Sequence, residues 1–169
     1  LFENPQIDPE HLPSLREVAW QALDRRYLRL LLLTTGIVFT LLALGLIGLA
    51  LAAPMIVFWI GLGVWVLFLG VVLLFVFKGF EYKKFALRRR DVIYQSGWIF
   101  RHTTTVPFSR IQHVEIKEGA LERLFGLGTV QVFTAGGSGS DLGIPGLPAD
   151  YAHRIKEYIS GKVAEEEEE

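Results

Sequence analysis

The side chains able to carry chemistry are few in this chain of 169 residues, and they do not converge. Cysteine is absent, which removes disulfides, thiolate metal sites and thiolate nucleophiles together. The four histidines, His11, His102, His113 and His153, stand apart with no i, i+4 pair, whereas a zinc site draws its ligands from matched spacings. No Asp or Glu pair has a spacing that suggests acid–base work, and nothing supplies a nucleophile, a base and an orienting group together. The expectation is a protein that is not an enzyme and holds no metal or cofactor.

The stretch "TAGGSGSD", Thr134 to Asp141, invites comparison with phosphate-gripping loops. A P-loop needs Gly-Lys-Ser/Thr leading into a helix, but this loop has no lysine and leads into another short strand. "GLGTVQ" at 126 to 131 has two of the three glycines of a dinucleotide fingerprint and runs from helix to strand, the reverse of what is required. As a nucleophile elbow, Ser138 would need glycine at 136 and 140, and 140 is Ser. The loop reads as a hairpin connection. Gly136, Gly137, Ser138 and Gly139 form a candidate interaction loop, with a backbone nest for an anion as the alternative.

A stronger candidate surface is the basic cluster Lys83, Lys84, Arg88, Arg89 and Arg90. What it meets depends on the elements around it. From Leu30 to Phe77 there is no Asp, Glu, Lys, Arg or His, a run of 48 residues. One bilayer crossing takes about 20 apolar residues, so two crossings fit. Pro54 falls near the middle, where proline suits a turn better than a helix interior. The expected elements are transmembrane helices at 28–52 and 54–77, each rising roughly 36 Å. The rest of the chain is too short to wrap such a hairpin in a globular shell, and the first apolar run is too long and starts too late for a signal peptide.

Arg25, Arg26 and Arg29 precede the first arm, Lys78 and the basic cluster follow the second, and the turn between the arms is uncharged. By the positive-inside rule both termini and the polar domain face the cytoplasm. A channel is not expected, because no ionisable residue marks a path through the arms. The small residues Gly36, Gly45, Gly48, Ala52, Gly61, Gly63 and Gly70 are expected to pack within the hairpin. The net charge of −1 hides an asymmetry: residues 78 to 163 hold thirteen Lys and Arg against eight acids, and the five glutamates at 165–169 offset them. Residues 164–169 read as a solvated acidic tail.

In the segment 1–27, Ser14 and Glu17 have the spacing of a capping box, which predicts a juxtamembrane amphipathic helix with Leu15, Val18, Ala19, Ala22 and Leu23 on one face. After Phe77 the pattern turns to alternation and β-branched runs, predicting strands at 80–87, 91–97, 99–107, 111–117, 128–134 and 141–144. Between the fourth and fifth, a helical turn ended by Gly126 is expected to cap the sheet with Leu121, Leu124 and Phe125. A closing helix presents Tyr151, Ile155, Tyr158 and Ile159. Arg110 and Arg123 are expected to bridge acids such as Glu115 and Glu122. Trp98 and Phe100 read either as core or as anchors for a peptide. The fold class is thus a transmembrane α-helical hairpin followed by an α+β domain at 80–163, an antiparallel β roll or barrel with a C-terminal capping helix.

The run "VPFSRIQHVEIKEGALERLFGLGTVQVFTAGG" resembles the bacterial pleckstrin-homology-like domain of the membrane-flanked family, with Pro107, Ser109, Arg110, Ile111, Gly119, Leu121, Arg123, Gly126 and Gly136 in the positions of that pattern. The two apolar arms ahead of the domain and "IPGL" before the last helix fit it too. The resemblance covers about Leu28 to Val163. It implies a pleckstrin-homology-like sheet with a capping helix in the inner (plasma) membrane of a bacterium, and it implies no reaction. Arg88 to Arg90 would fall on the first hairpin, similar in place to the basic loop with which many such domains hold lipid headgroups.

The function expected is therefore a membrane-anchored binding or scaffold module. It would assemble at the cytoplasmic face with a partner membrane protein, a relative with more copies of the domain, or a second copy of itself, in envelope maintenance or defence. The alternative is sensing of anionic-lipid headgroups through the basic first hairpin. Beside a membrane, plain attraction of those charges to the anionic leaflet is worth about 1 kcal/mol each, and nucleic acid is not an expected partner.

Overall fold

A computed structural model of the protein describes residues 18–52, 54–135 and 140–167. Two helices, α1 (Arg25–Ala52) and α2 (Met55–Glu81), form a hairpin on either side of Pro54. At 28 and 27 residues they rise about 40 Å each, enough to cross a bilayer. Their outer surfaces are apolar and open, with Leu41, Ile56 and Leu67 more than 60 % exposed, an arrangement that water would penalise and hydrocarbon accepts. Thr34, Thr35 and Thr40 do not break the apolar surface, because each hydroxyl donates to a carbonyl one turn back. The arms meet at Phe39, which is buried between the Trp65 and Phe68 rings, and Trp65 Nε1 donates to the Phe39 carbonyl at 3.3 Å. Among the glycines expected to pack within the hairpin, Gly61 alone has a close neighbour where a side chain would be, Leu46 Cδ1 at 2.6 Å. Gly36, Gly45, Gly48, Gly63 and Gly70 face open space, so they do not pack between the two arms.

The domain that follows has two antiparallel sheets. The first has the order β1 (Gln21–Ala22), β2 (Lys84–Leu87), β3 (Asp91–Ser96), β4 (His102–Pro107). The second has β5 (Ile111–Lys117), β6 (Leu127–Thr134) and β7 (Leu142–Pro148), with the short helix α3 (Ala120–Leu124) between β5 and β6. A 3-10 turn, Phe108–Arg110, makes the corner between the sheets, and α4 (Ala149–Glu167) lies across β5, β6, β7 and that corner. Period-two alternation turns Val130 and Val132 of β6 and Ile144 of β7 inward, where they meet Phe85, Val92 and Phe108 from the first sheet and its corner. Ala152, Ile155 and Ile159 at helical spacing close the core from α4.

The hairpin is part of this core. Leu23, Tyr27 and Leu30 are buried in the same apolar cluster as the sheets. Sequence explains the docking point. "IPGLP" cannot run as a regular strand, since Pro145 lacks an N–H, and the pairing of β6 with β7 slips between Gly128–Leu147 and Val130–Ile144. Gly146 takes φ +67° at this bulge, and a Cβ there would overlap the Tyr27 ring. The Gly146 carbonyl accepts from Asp24 N–H at 3.3 Å, and Asp24 caps α1 by accepting from Arg26 N–H at 2.7 Å.

Several expectations need correction. Ser14 and Glu17 lie outside the described residues, and the amphipathic helix does not run through residues 18–24. Gln21 and Ala22 pair instead with Phe85 and Lys84, because the edge of β2 satisfies their backbone groups where a free helix end would not. The strand expected from Phe80 begins at Lys84; α2 continues to Glu81, where Lys78 and Glu81 pair at 2.9 Å and Phe80 packs on the core. The strand expected from Ile99 begins at His102, because Gly97–Arg101 is a turn, and the one at 141–144 extends to Pro148. Leu121 and Phe125 pack on the core as expected, but Leu124 is 79 % exposed. The acidic tail is helical as far as Glu167. Among the described residues no ion pair joins Arg110 or Arg123 to Glu115 or Glu122. Glu122 instead accepts from Gly119 N–H at 2.8 Å and from the Thr129 hydroxyl at 2.9 Å.

Gly146→Ala strains both the backbone and the Tyr27 contact and is expected to cost about 1–3 kcal/mol. Gly143→Ala, with open space around the new methyl, should fall well below that. Denaturant melts of the full chain in detergent check the difference; equal stability of the two variants would mean that the hairpin is not locked at Gly146.

Candidate binding surfaces

The basic cluster lies on the first hairpin of the domain, and the strand geometry divides it. β2 leaves the end of α2 at Lys84, and the turn Arg88–Arg90 stands at the other end of the strand, roughly 10 Å farther along by the rise of a strand. β3 then returns toward the anchor, and Trp98, two residues beyond it, reaches Phe75 of α2 with ring centroids 5.6 Å apart. Lys83 and Lys84 therefore sit at the anchor end of the sheet, and Arg88, Arg89 and Arg90 at the end away from it.

At the anchor end, Lys83 is half-buried at the mouth of a groove of about 550 Å³ that Leu31, Phe75, Val76 and Phe80 line. Its ammonium lies 5.0 Å from the Tyr27 ring centroid and donates to the Tyr27 hydroxyl at 3.4 Å. Loss of solvent pulls its pKa below the ordinary lysine value. Lys84 is exposed on β2. The groove offers apolar walls below and a cation above, the arrangement that an anionic amphiphile matches.

At the far end, Arg88 is bound to Asp91 through two hydrogen bonds of 2.6 and 2.5 Å, a bidentate pair that spends its charge within the turn. Arg89 and Arg90 are exposed, and the Arg90 carbonyl accepts from Phe108 N–H at 3.0 Å, which fixes the turn on the corner of the roll. Beside the turn a second groove, about 310 Å³, lies between Gln21 and Leu87 on one side and Tyr151, Arg154 and Tyr158 of α4 on the other. The Tyr151 hydroxyl donates to Gln21 Oε1 at 2.7 Å, tying α4 to β1. Tyr158 is 43 % exposed at the margin of the groove, so it is not the core residue that its helical spacing predicted, though its ring meets Phe108 edge-on. Sequence reasoning missed this groove because β1 makes one wall of it, and a two-residue strand leaves no periodic signal. Arg154 gave no sign in isolation.

The candidate loop Gly136–Gly139 lies outside the described residues. At its base Asp141 Oδ2 accepts from Thr134 N–H at 2.8 Å and from the Thr134 hydroxyl at 2.6 Å, bonds to the ionised form that hold its carboxyl below the usual range. Among the described residues no three of His, Asp and Glu gather where a metal could be held. His113 stacks on Phe133 at 4.3 Å and stands 3.5 Å from Glu115, and His102 and His153 are exposed on other elements.

A paired-helix anchor continuous with a two-sheet roll that one helix closes is a pleckstrin-homology-like membrane protein. The family model for the bacterial PH domain matches residues 28–163, helices included, and the chain belongs to that family. The UPF0699 transmembrane protein YdbT of Bacillus subtilis (strain 168) is 31 % identical over 84 residues, a match that covers 46 % of this chain and 17 % of YdbT. The chain thus corresponds to a minor part of that relative's length. No solved structure matches.

Lys83 gives the domain a measurable pH dependence. With the folded pKa lowered, the unfolded chain holds the proton more tightly, so stability should rise with pH as Lys83 deprotonates on the way to the ordinary value of 10.5. Tyr94, raised by burial, acts the other way above the ordinary tyrosine value of 10.0, so the window is the alkaline range below it. Lys83→Met should flatten the slope there in denaturant melts; an unchanged slope would mean that Lys83 is solvated.

Proposed function

We propose that the chain is a non-catalytic binding module, fixed to the cytoplasmic face of a bacterial plasma membrane by its helical hairpin, that assembles with a partner membrane protein through the far end of its roll. The observation that carries this reading is the position of Arg89 and Arg90 at the end of the domain away from the anchor, where Tyr158 begins a groove that runs back past Arg154 to Gln21, on a body that Tyr27 and Gly146 hold against that anchor. Exposed guanidinium groups near a half-exposed tyrosine suit an acidic protein segment: Arg and Tyr are enriched where interfaces concentrate their energy. Arg25, Arg26, Arg29 and Lys78 at the helix ends support the cytoplasmic orientation. Tethering contributes as well, because two proteins confined to one membrane meet at high effective concentration and need only a weak contact.

The other reading, headgroup selection by the first hairpin, has Lys83 and its groove in its favour and the remoteness of Arg88–Arg90 from the anchor against it. Affinity purification from native membranes, with proteins and lipids analysed together, separates the two. The parent should retain a discrete membrane protein that Arg89→Glu/Arg90→Glu loses at least about tenfold, the equivalent of 1.4 kcal/mol, with its lipid content unchanged. An anionic lipid enriched by the parent and lost from the variant would replace assembly with lipid recognition.

A further inference from the structure

We infer that the β3–β4 turn, Gly97–Arg101, is a second membrane contact, with Trp98, Ile99 and Phe100 seated in the interfacial layer of the bilayer that α1 and α2 cross. The inference rests on the two helices spanning that bilayer. Outside α1 and α2, the described residues expose few large apolar side chains, and two of them are neighbours here: Phe100 at 88 % and Ile99 at 58 %. Among the described residues nothing covers this pair.

Depth decides what covers it. Trp98 packs edge-on against Phe75, at 5.6 Å and 72°. Phe75 belongs to the uncharged run and lies three residues before Lys78, about 4.5 Å deeper at the rise of a helix. A ring 5.6 Å from that of Phe75 lies within about one helical turn of its depth, so a bilayer that covers the end of the apolar arm, with its interfacial layer, reaches the turn. Phe75 also lines the groove below Lys83, which makes the turn continuous with the apolar surface of the anchor.

The rim has the chemistry of the headgroup layer. The Arg101 guanidinium lies 5.3 Å from the Tyr82 ring centroid, Lys78 closes α2, and His102 is exposed beside them. Aromatic rings with cations at one level are the usual occupants of a membrane–water boundary. The turn is also built to hold its shape: Gly97 takes φ +91°, a Cβ there would overlap the Phe100 carbonyl, and Ser96 pairs with His102 across its base. The rings are presented on a rigid hairpin, so little ordering opposes their insertion.

The absence of cysteine permits single-site labelling of the full chain. An environment-sensitive probe would be placed at Phe100→Cys, at Ser109→Cys on the exposed far corner and at Leu67→Cys on the outer face of α2, in vesicles of phosphatidylcholine and phosphatidylglycerol. Lipid spin-labelled near the headgroup should quench Phe100→Cys several-fold more than Ser109→Cys, and aqueous iodide should do the reverse. Native Trp98, left as sole tryptophan by Trp20→Phe, Trp59→Phe and Trp65→Phe, should be quenched by brominated lipid with Phe100 intact. If a deeper spin label quenches Leu67→Cys while Phe100→Cys and Trp98 behave like Ser109→Cys, the helices span and the turn does not touch lipid, which overturns the inference alone. If Leu67→Cys is not quenched either, the spanning hairpin falls and the inference falls with it. Cross-linking from position 100 to a second protein instead of lipid in native membranes would also overturn it.

Discussion

The contact on which the rest of this structure depends is the Tyr27 ring lying on the bare backbone of Gly146. It is a contact between the first turn of a membrane helix and a bulge in a β-strand, and it exists because two local constraints coincide. Pro145 prevents the strand from pairing regularly, so the chain bulges; the bulge needs a residue with positive φ, and the glycine that supplies it leaves a space that an aromatic ring can fill. Asp24 adds a backbone hydrogen bond at the same place and caps the helix. Leu23 and Leu30 extend the burial on either side. An anchor joined to its domain only by Tyr82 and Lys83 would leave the roll free to turn about that connection. Here the first helix is held by the second sheet while the second helix feeds the first sheet, and the two attachments together fix one attitude of the domain to the helices.

That attitude gives the charges their different meanings. A basic cluster in the sequence is a single feature, but in the fold its members stand at opposite ends of a strand. Lys83 shares an apolar groove with membrane-helix side chains, Arg88 is consumed by Asp91, and Arg89 and Arg90 are left open on the far corner. The same strand geometry that carries the arginines away from the anchor brings Trp98 back to it. A four-residue strand and its partner thus sort one hairpin into an end that faces the anchor and an end that faces away.

Much of this was legible from the residues. The uncharged 48-residue run marks the hairpin because hydrocarbon admits no free charge, and the resemblance carried by "VPFSRIQHVEIKEGALERLFGLGTVQVFTAGG" identified the family and its roll. Gly126, with φ +63°, ends α3 where the spacing placed it. What was not legible came from long-range pairing. Gln21 and Ala22 carry helical periodicity and lie in a strand, because an open edge of β2 outweighs local preference. Phe80 and Glu81 alternate like strand residues and continue a helix that is already nucleated. The groove beside Tyr158 has walls from three separated parts of the chain, and no window of sequence contains them together.

The capped start of α1 has a consequence for how the protein is made. Synthesis delivers the hairpin ahead of the second sheet, so Tyr27 is made before any strand of that sheet has been translated. Gly146 comes in the last strand of the roll, and α4 after it closes the core. The last part of the roll to emerge is therefore the part that must find the first, and the anchor acts as a template waiting at the surface. A ribosome that stops before Gly146 leaves an inserted hairpin without its domain, whereas a domain made without the hairpin lacks Tyr27 and Leu30 from its core. Insertion and folding are in this sense one process with a fixed order.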